Sequence, residues 1–159
     1  MSEKIQPTEP IKDERLKLDN QLCFTIYAAS REMTKLYRPL LNKLDITYPQ
    51  YLTLLALWEQ DGLMVKEIGE RLYLDSGTLT PLLKRMEAQG LIVRKRVAAD
   101  ERKVEITLTM AGQALKEEAY CIPEKIFAYS EDSGVLLERL FNDVNQLLSG
   151  LRLANQQKQ

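Results

Sequence analysis

The chain has 159 residues, of which 45% are hydrophobic, and a net charge of −1, so one compact domain with an apolar core is expected. No apolar run is long enough to span a membrane and residues 1–17 show no secretion signal, so a cytoplasmic location is expected. The chain has no histidine and only two, distant cysteines. This composition argues against a catalytic base, a bound metal or a cofactor, and therefore against an enzyme.

The N-terminal part of the chain predicts an arm followed by a long helix. Residues 1–17 are polar and mixed in charge and are expected to be flexible, whereas residues 18–159 are expected to form one domain. A helix is predicted from Asp19, with Pro39 bending or interrupting its last turns. Its apolar residues recur at steps of three and four, as in a coiled coil: Leu22, Ile26, Ala29, Met33, Leu36 and Leu40.

The next three predicted helices are short. Thr47 is expected to cap the first of them, which carries Pro49 in its opening turn and Leu52, Leu55 and Trp58 on one side. The second covers residues 65–74, and the break at 75–77 lets Ser76 cap the third. Asp75 is expected to be a cap or an orienting partner rather than a base contact. The third helix is expected to stop at Gly90, and Pro81 is tolerable there only in the first turn. Its spacing predicts four buried residues: Leu79, Leu82, Leu83 and Met86.

After Gly90 the apolar period changes from helical to two, which predicts a β-hairpin. Val104, Ile106 and Leu108 alternate with polar residues, and they face a strand over 91–97 across a turn at 98–101. Two short helices with a tight turn and then a hairpin is the order of a winged helix. The predicted fold is therefore mostly α with a small β-hairpin wing, and residues 65–108 are expected to bind double-stranded DNA.

The charge distribution supports one DNA-binding face. Residues 84–103 carry seven basic and three acidic side chains, whereas residues 117–143 carry two basic and seven acidic ones. The start of the third short helix is the end that meets bases and phosphates. The candidate contacts are Ser76, Gly77, Thr78, Thr80, Lys84 and Arg85 from this helix, with Arg94, Lys95 and Arg96 from the wing. For Lys84 and Arg85 the alternative is an ordinary solvated helix surface.

The C-terminal part predicts two further helices. Thr109 is expected to open one that runs to Tyr120 and is disturbed by Pro123, and a last helix covers about 134–153. Its broad apolar stripe comprises Leu137, Leu140, Phe141, Val144, Leu147, Leu148 and Leu151. Regions 18–44 and 109–153 are expected to pair with a second chain, although they can instead pack on their own domain. A two-fold dimer presents two recognition helices to half-sites roughly 34–36 Å apart.

The sequence resembles the MarR family of bacterial regulators, and within it the organic-hydroperoxide repressors of the OhrR group. The resemblance covers about residues 18–120 and rests on these segments: Leu18–Phe24, Ala28–Met33, Tyr37, Leu44–Tyr51, Leu72–Lys84 and Asp100–Arg102. It implies a homodimer that represses a peroxidase gene at a pseudo-palindromic operator until organic hydroperoxide oxidises a sensor cysteine. Repression, rather than activation, is implied by the resemblance alone.

Cys23 is the predicted sensor. It lies near the start of the first helix, where the helix dipole favours a thiolate, the form that attacks peroxides. Tyr37 lies 14 residues later, about 21 Å along a straight helix, so the two side chains cannot meet within one chain. The resemblance implies that Tyr37 and Tyr48 hydrogen-bond the sulfur across the dimer. Without it, a buried hydrophobic cysteine and packing tyrosines are the expected interpretation.

Three further residues take their roles from the resemblance. In one branch of the family a second cysteine forms an intersubunit disulfide, and Cys121 lies in that region; it can equally be a spectator thiol. Arg102, held by Asp100, is the wing arginine that enters the minor groove.

Two other functions stay open: a MarR-type regulator controlled by a bound small ligand with an inert Cys23, and a thiol peroxidase. The absence of histidine and of a C-x-x-C pair argues against the peroxidase.

Overall fold

The structure, a computed structural model, describes residues 12–131 and 133–157. The chain divides into two compact units, with the boundary between Gln113 and Ala114. The single domain predicted over 18–159 stays a prediction. The described part contains seven α-helices: α1 (Leu22–Asn42), α2 (Tyr48–Glu59), α3 (Val65–Leu72), α4 (Ser76–Ala88), α5 (Met110–Ala119), α6 (Cys121–Glu131) and α7 (Leu137–Gln156). It also contains three strands: β1 (Leu63–Met64), β2 (Ile92–Val97) and β3 (Asp100–Leu108).

The N-terminal predictions need three corrections. Residues 1–11 of the predicted flexible arm lie outside the described residues, but Lys12–Leu16 forms a 3₁₀ helix. Helix α1 begins at Leu22 rather than at Asp19, which belongs to a second 3₁₀ turn. The helix also continues through Pro39 to Asn42.

Helix α2 begins as predicted but buries a different face. Thr47 and Gln50 form a capping box, and Pro49 lies in the first turn. The predicted side of Leu52, Leu55 and Trp58 is only partly covered. The residues that are buried lie on other positions: Gln50, Tyr51, Thr53, Leu54, Ala56 and Leu57. This helix carries apolar residues on all of its sides, so their spacing does not identify the face that becomes buried.

The helix-turn-helix formed by α3 and α4 confirms the predicted core. Leu79, Leu82, Leu83 and Met86 are all buried. The cap of α4 is Asp75, however, and Ser76 is the first helical residue. Pro81 lies in the second turn, not the first. Its missing N–H removes one helical hydrogen bond, to the carbonyl of Gly77, and Gly77 is exposed to water.

The wing contains a third strand that the sequence analysis missed. The sheet order is β1-β3-β2, all antiparallel, with Leu63 of β1 opposite Ile106 of β3. The predicted turn over 98–101 is shorter, because Asp100 already pairs with Val97. Arg96 pairs with Val104, so residues 101–103 form a bulge in β3.

The second unit contains most of α5 and all of α6 and α7. Thr109 opens α5 as predicted: its hydroxyl accepts a hydrogen bond from the Gly112 N–H at 3.0 Å. Helix α5 ends at Ala119, and Pro123 does not disturb it; this proline lies in the first turn of α6, a helix missed in the sequence. Helix α7 begins at Leu137, and none of its described residues is buried. Most of its apolar stripe is therefore exposed within one chain, with Leu137 and Leu147 half-buried.

Candidate DNA interface and thiol site

The start of α4 is an exposed surface held in shape by Asp75. The Asp75 carboxylate accepts hydrogen bonds from the N–H and the hydroxyl of Thr78, at 2.9 and 3.1 Å. These bonds hold the pKa of Asp75 below its ordinary value of 3.8. Ser76, Gly77 and Thr78 are exposed and Thr80 is half-buried. The exposed side chains at the start of this helix are therefore accessible to DNA, whereas the Thr78 N–H is already bonded to the Asp75 carboxylate.

The basic side chains of this region differ in what they contact. Lys84, Arg85 and Arg96 are exposed. Arg94 is half-buried, and its guanidinium forms an ion pair with Glu87 of α4 at 3.5 Å. The backbone N–H of Arg94 also donates to the Glu87 carboxylate, at 3.2 Å. Arg94 therefore fastens the wing to the recognition helix, while its contact with DNA stays a prediction.

The bulge in β3 carries the predicted wing arginine. Arg102 is exposed, and its backbone N–H donates to the Asp100 carboxylate at 3.1 Å. The contact that the structure shows between these two residues is thus to the backbone, not to the guanidinium. Asp100 therefore stabilises the backbone of the bulge, and the position of the Arg102 side chain follows from that backbone.

Tyrosine side chains cluster where α1 meets α2. The rings of Tyr37 and Tyr48 have centroids 4.8 Å apart, so the structure brings the two predicted tyrosines together. Tyr51 lies 5.9 Å from Tyr37 and 6.4 Å from Trp58, and the sequence analysis missed it. Its spacing of three residues from Tyr48 on one helix was the available signal.

Burial keeps the phenols of this cluster protonated. Burial raises the pKa of both Tyr37 and Tyr48. The neighbouring Tyr48 raises the pKa of Tyr37 further. The pKa of Tyr51 rises to about 12, through burial first and then through Tyr37 and Tyr48. At neutral pH the hydroxyls of Tyr37 and Tyr48 are therefore neutral donors, suited to a negatively charged partner.

The two thiols lie at helix starts. Cys23 is the second residue of α1 and is exposed. Tyr37, on the same helix, lies about 21 Å away along the axis, so the structure does not bring Cys23 to the tyrosines of its own chain. Cys121 is the first residue of α6, also exposed, and its thiol donates weakly to the Glu118 carbonyl at 3.7 Å. Among the described residues no cluster suits a metal ion.

A helix-turn-helix, a three-stranded wing and an exposed recognition helix define a winged-helix DNA-binding protein. The family of transcriptional regulators SarA/Rot matches residues 35–119. The organic hydroperoxide resistance transcriptional regulator of Bacillus subtilis (strain 168) is 59% identical over 144 residues, 91% of this chain and 98% of that protein. The chain therefore belongs to the MarR family of winged-helix regulators, in the group of organic hydroperoxide resistance regulators.

Solved structures agree with this assignment. The reduced form of AbfR of Staphylococcus epidermidis bound to DNA is 40% identical, with 87% of this chain and 97% of that chain covered and a TM-score of 0.69. The disulfide form of AbfR is also 40% identical. The match covers 88% of this chain and 96% of that chain, with a TM-score of 0.61. This chain is accordingly a DNA-binding transcriptional regulator and not an enzyme. Among the described residues no helix has the length and apolar character needed to cross a membrane.

Proposed function

We propose that this protein is a cytoplasmic homodimeric repressor that releases a pseudo-palindromic operator when organic hydroperoxide oxidises Cys23. The observation that carries the proposal is the Tyr37–Tyr48 pair, with ring centroids 4.8 Å apart. Two protonated phenols lie side by side at the end of α1 opposite to Cys23. A hydrogen bond from them to sulfur therefore requires the thiol of a second chain, with the two α1 helices antiparallel.

The exposed apolar stripes support a dimer. On α1, Leu22, Met33 and Leu36 are exposed, and on α7 Phe141 has 69% of its surface exposed and Leu151 53%. Contiguous apolar surface of this kind marks a protein–protein interface. Two chains related by a two-fold axis cover both copies of such a stripe at once.

The sensing step follows from thiolate chemistry. The Cys23 thiolate attacks the terminal oxygen of the hydroperoxide, the O–O bond breaks, and sulfur is oxidised to sulfenic acid. The other oxygen leaves as an alkoxide and takes a proton from water to become the alcohol. The hydroxyls of Tyr37 and Tyr48 of the partner chain donate to the thiolate, which holds it in place. Oxidation replaces the charged thiolate with a neutral sulfenic acid, and the hydrogen bonds from the two phenols to the sulfur become weaker.

Cys121 gives the oxidised state a second possible form. The sulfenic acid condenses with the Cys121 thiol of the partner subunit, an S–S bond forms, and one water molecule leaves. The two Cα atoms must then approach to within about 7 Å. The disulfide form of the 40% identical AbfR supports this route. If Cys121 is a spectator instead, Cys23 forms a mixed disulfide with a small thiol.

DNA binding is assigned to the exposed face of α4 and the wing. Ser76, Thr78 and Thr80 at the start of α4 contact the DNA, and Lys84, Arg85 and Arg96 contribute charge to the same surface. Arg102 enters the minor groove beside it. A movement of the two α4 helices relative to each other breaks their match to half-sites one helical turn apart.

The test is operator binding during titration with cumene hydroperoxide. Wild-type protein should release the operator at about one equivalent of peroxide per chain, and Cys23→Ser should bind normally and not respond. Cys121→Ser is the matched control: it should release DNA but form no covalent dimer on a non-reducing gel. Peroxide-induced release by Cys23→Ser contradicts the proposal. Catalytic consumption of peroxide with excess reductant would instead indicate a thiol peroxidase.

A groove in the first unit favours one alternative, control by a bound small ligand. It has a volume of about 820 Å³ and is lined by residues at the start of α2 and along α4, including Thr47, Thr78 and Arg85. This volume lies in the usual range for small-molecule sites. Release of the operator from Cys23→Ser by a phenolic or carboxylate ligand, without peroxide, would support this alternative.

A further inference from the structure

The buried amide of Gln50 forms hydrogen bonds in two directions. Gln50 is 4% exposed and lies in the first turn of α2, two residues after Tyr48. Its carbonyl oxygen accepts a hydrogen bond from the backbone N–H of Thr47 at 2.8 Å. Its amide nitrogen donates to the side-chain oxygen of Gln89 at 2.5 Å. One side chain thus contacts both the residue that precedes Tyr48 and the residue that ends α4.

Gln89 continues the connection back to the loop between α1 and α2. It is the C-cap of α4, and its side-chain nitrogen donates to the Asp45 carbonyl at 3.2 Å. Asp45 has a φ of 53°, a left-handed conformation that is uncommon for residues other than glycine. The loop that joins the helices of Tyr37 and Tyr48 is therefore tied to the end of the recognition helix.

The direction of each bond in this chain is determined by the others. The Gln50 oxygen must face Thr47, because only an acceptor can pair with an N–H. Its nitrogen must then face Gln89, whose oxygen accepts, so the Gln89 nitrogen faces the Asp45 carbonyl. A reversed amide at either position would place two donors or two acceptors in contact. The connection is thus ordered from end to end, unlike an apolar contact, which tolerates sliding.

We propose that Gln50 and Gln89 form a side-chain link that transmits a change at the tyrosine pair to the recognition helix. The proposal rests on the proposed function of Cys23, Tyr37 and Tyr48. The link contacts the backbone just before Tyr48, at Asp45 and Thr47, and Gln50 follows Tyr48 in the same helical turn, so a shift of the Tyr48 backbone displaces the donors and acceptors of the link. Hydrogen bonds hold only over a narrow range of distance and angle. A displaced start of α2 therefore pulls the end of α4 with it.

Gln50 and Gln89 are positioning residues in this account, since neither touches the peroxide or the sulfur. Coupling between two sites appears as the ratio of operator dissociation constants for oxidised and reduced protein. Loss of a residue that carries coupling changes such a ratio by roughly 2- to 30-fold. A residue with only a structural role lowers the melting temperature and leaves this ratio unchanged.

The test compares the ratio in wild type, Gln89→Ala, Gln50→Ala and the double variant. Gln89→Ala is the decisive variant because Gln89 is exposed and its loss leaves the capping box of α2 in place. Its ratio should fall by roughly 2- to 30-fold, and the double variant should fall no further than the larger single effect, since both residues form one link. Gln89→Glu, which can accept from Gln50 but cannot donate to Asp45, should give an intermediate ratio. Gln113→Ala, at an exposed position of α5, is the control.

Each outcome has a defined meaning when Cys23 oxidation is measured by mass spectrometry in the same samples. If wild type releases DNA on oxidation and Gln89→Ala releases it by the same factor, the link is overturned and the sensor function stands. Additive effects of the two single variants also overturn the link. If fully oxidised wild type keeps its operator, the proposed function fails, and the link fails with it.

Discussion

The winged-helix region and the two long helices, α1 and α7, differ in how far one chain buries their apolar residues. In the first region most apolar side chains of α3, α4 and the sheet are covered by the chain itself, with Ile68 of α3 and Ile106 of β3 fully buried. On α1 the apolar seam is open until Leu41, near the C-terminal end of the helix, and α7 has no buried described residue. The region assigned to DNA is thus complete in one chain.

The difference separates the two tasks of the molecule. Cys23 lies on the exposed part of α1, and the two phenols proposed to bond its sulfur lie at the other end of that helix. The thiol chemistry is therefore assigned to the region whose exposed apolar surface a second chain is proposed to cover, and DNA contact to the region whose core lies within one chain. This arrangement makes the relation between the two chains the quantity that oxidation can change.

The largest expected effect is on the winged-helix core. Ile106→Ala should lower the free energy of unfolding by about 2–5 kcal/mol, since its side chain is fully buried and it lies on β3, the central strand of the sheet. Val93→Ala, on the neighbouring strand and 47% exposed, is the matched control and should change it by less than about 0.5 kcal/mol. Urea denaturation measures both. Equal losses in the two variants would mean that this region is not self-contained.

A smaller effect is expected on α7, and it should appear in association. Phe141→Ala should weaken the dimer by about 1.5–3 kcal/mol per chain, because burial of this side chain is gained only when two chains meet. Sedimentation equilibrium measures the dissociation constant, and circular dichroism should show unchanged helix content. Gln146→Ala on the same helix is the control. A dimer of unchanged affinity would place the interface elsewhere.

The wing should contribute a modest, salt-dependent share of DNA binding. Arg102→Ala should weaken operator binding and reduce the slope of log K against log salt by about one unit, as expected for one lost phosphate or groove contact. Fluorescence anisotropy at several salt concentrations measures the slope. An unchanged slope and affinity would remove Arg102 from the interface and leave α4 as the principal DNA contact.

The smallest expected effect concerns the cap of the recognition helix and depends on pH. The folded state lowers the pKa of Asp75, so the carboxylate stabilises the fold above the ordinary value of 3.8, and this contribution is lost as pH falls through the lowered value. At neutral pH, Asp75→Ala should therefore melt below wild type, and the gap should close in acid. A gap that persists at pH 2 would assign the difference to packing rather than to the charged cap.

Sequence patterns predicted the winged helix well where periodicity was strong. The four buried residues of α4 follow a clear helical spacing, and the alternation from Val104 to Leu108 identified β3. Strand β1 was missed because two residues, Leu63 and Met64, cannot show a period. The cap assigned to Ser76 belongs to Asp75, since both residue types cap helices and composition alone does not choose between neighbours.

The site was predicted less completely than the fold. Tyr37 and Tyr48 were identified through the resemblance, and the structure brings their rings together. Tyr51 and the Gln50–Gln89 link were missed because both depend on contacts between α2 and other elements, which no local spacing reveals. The charge of Arg94 placed it on the DNA face, yet its pairing with Glu87 depends on how β2 packs against α4.

The central claim is that Tyr37 and Tyr48 of one chain donate hydrogen bonds to the Cys23 thiolate of the other. Mixed dimers test this claim most directly. One chain carries Cys23→Ser and the other Tyr48→Phe, so the remaining Cys23 lies on the chain that lacks the Tyr48 hydroxyl. The rate of Cys23 oxidation by cumene hydroperoxide is measured by mass spectrometry against the homodimer of Tyr48→Phe. The account predicts the wild-type rate in the mixed dimer and a slower rate in the homodimer. A mixed dimer as slow as that homodimer would contradict it.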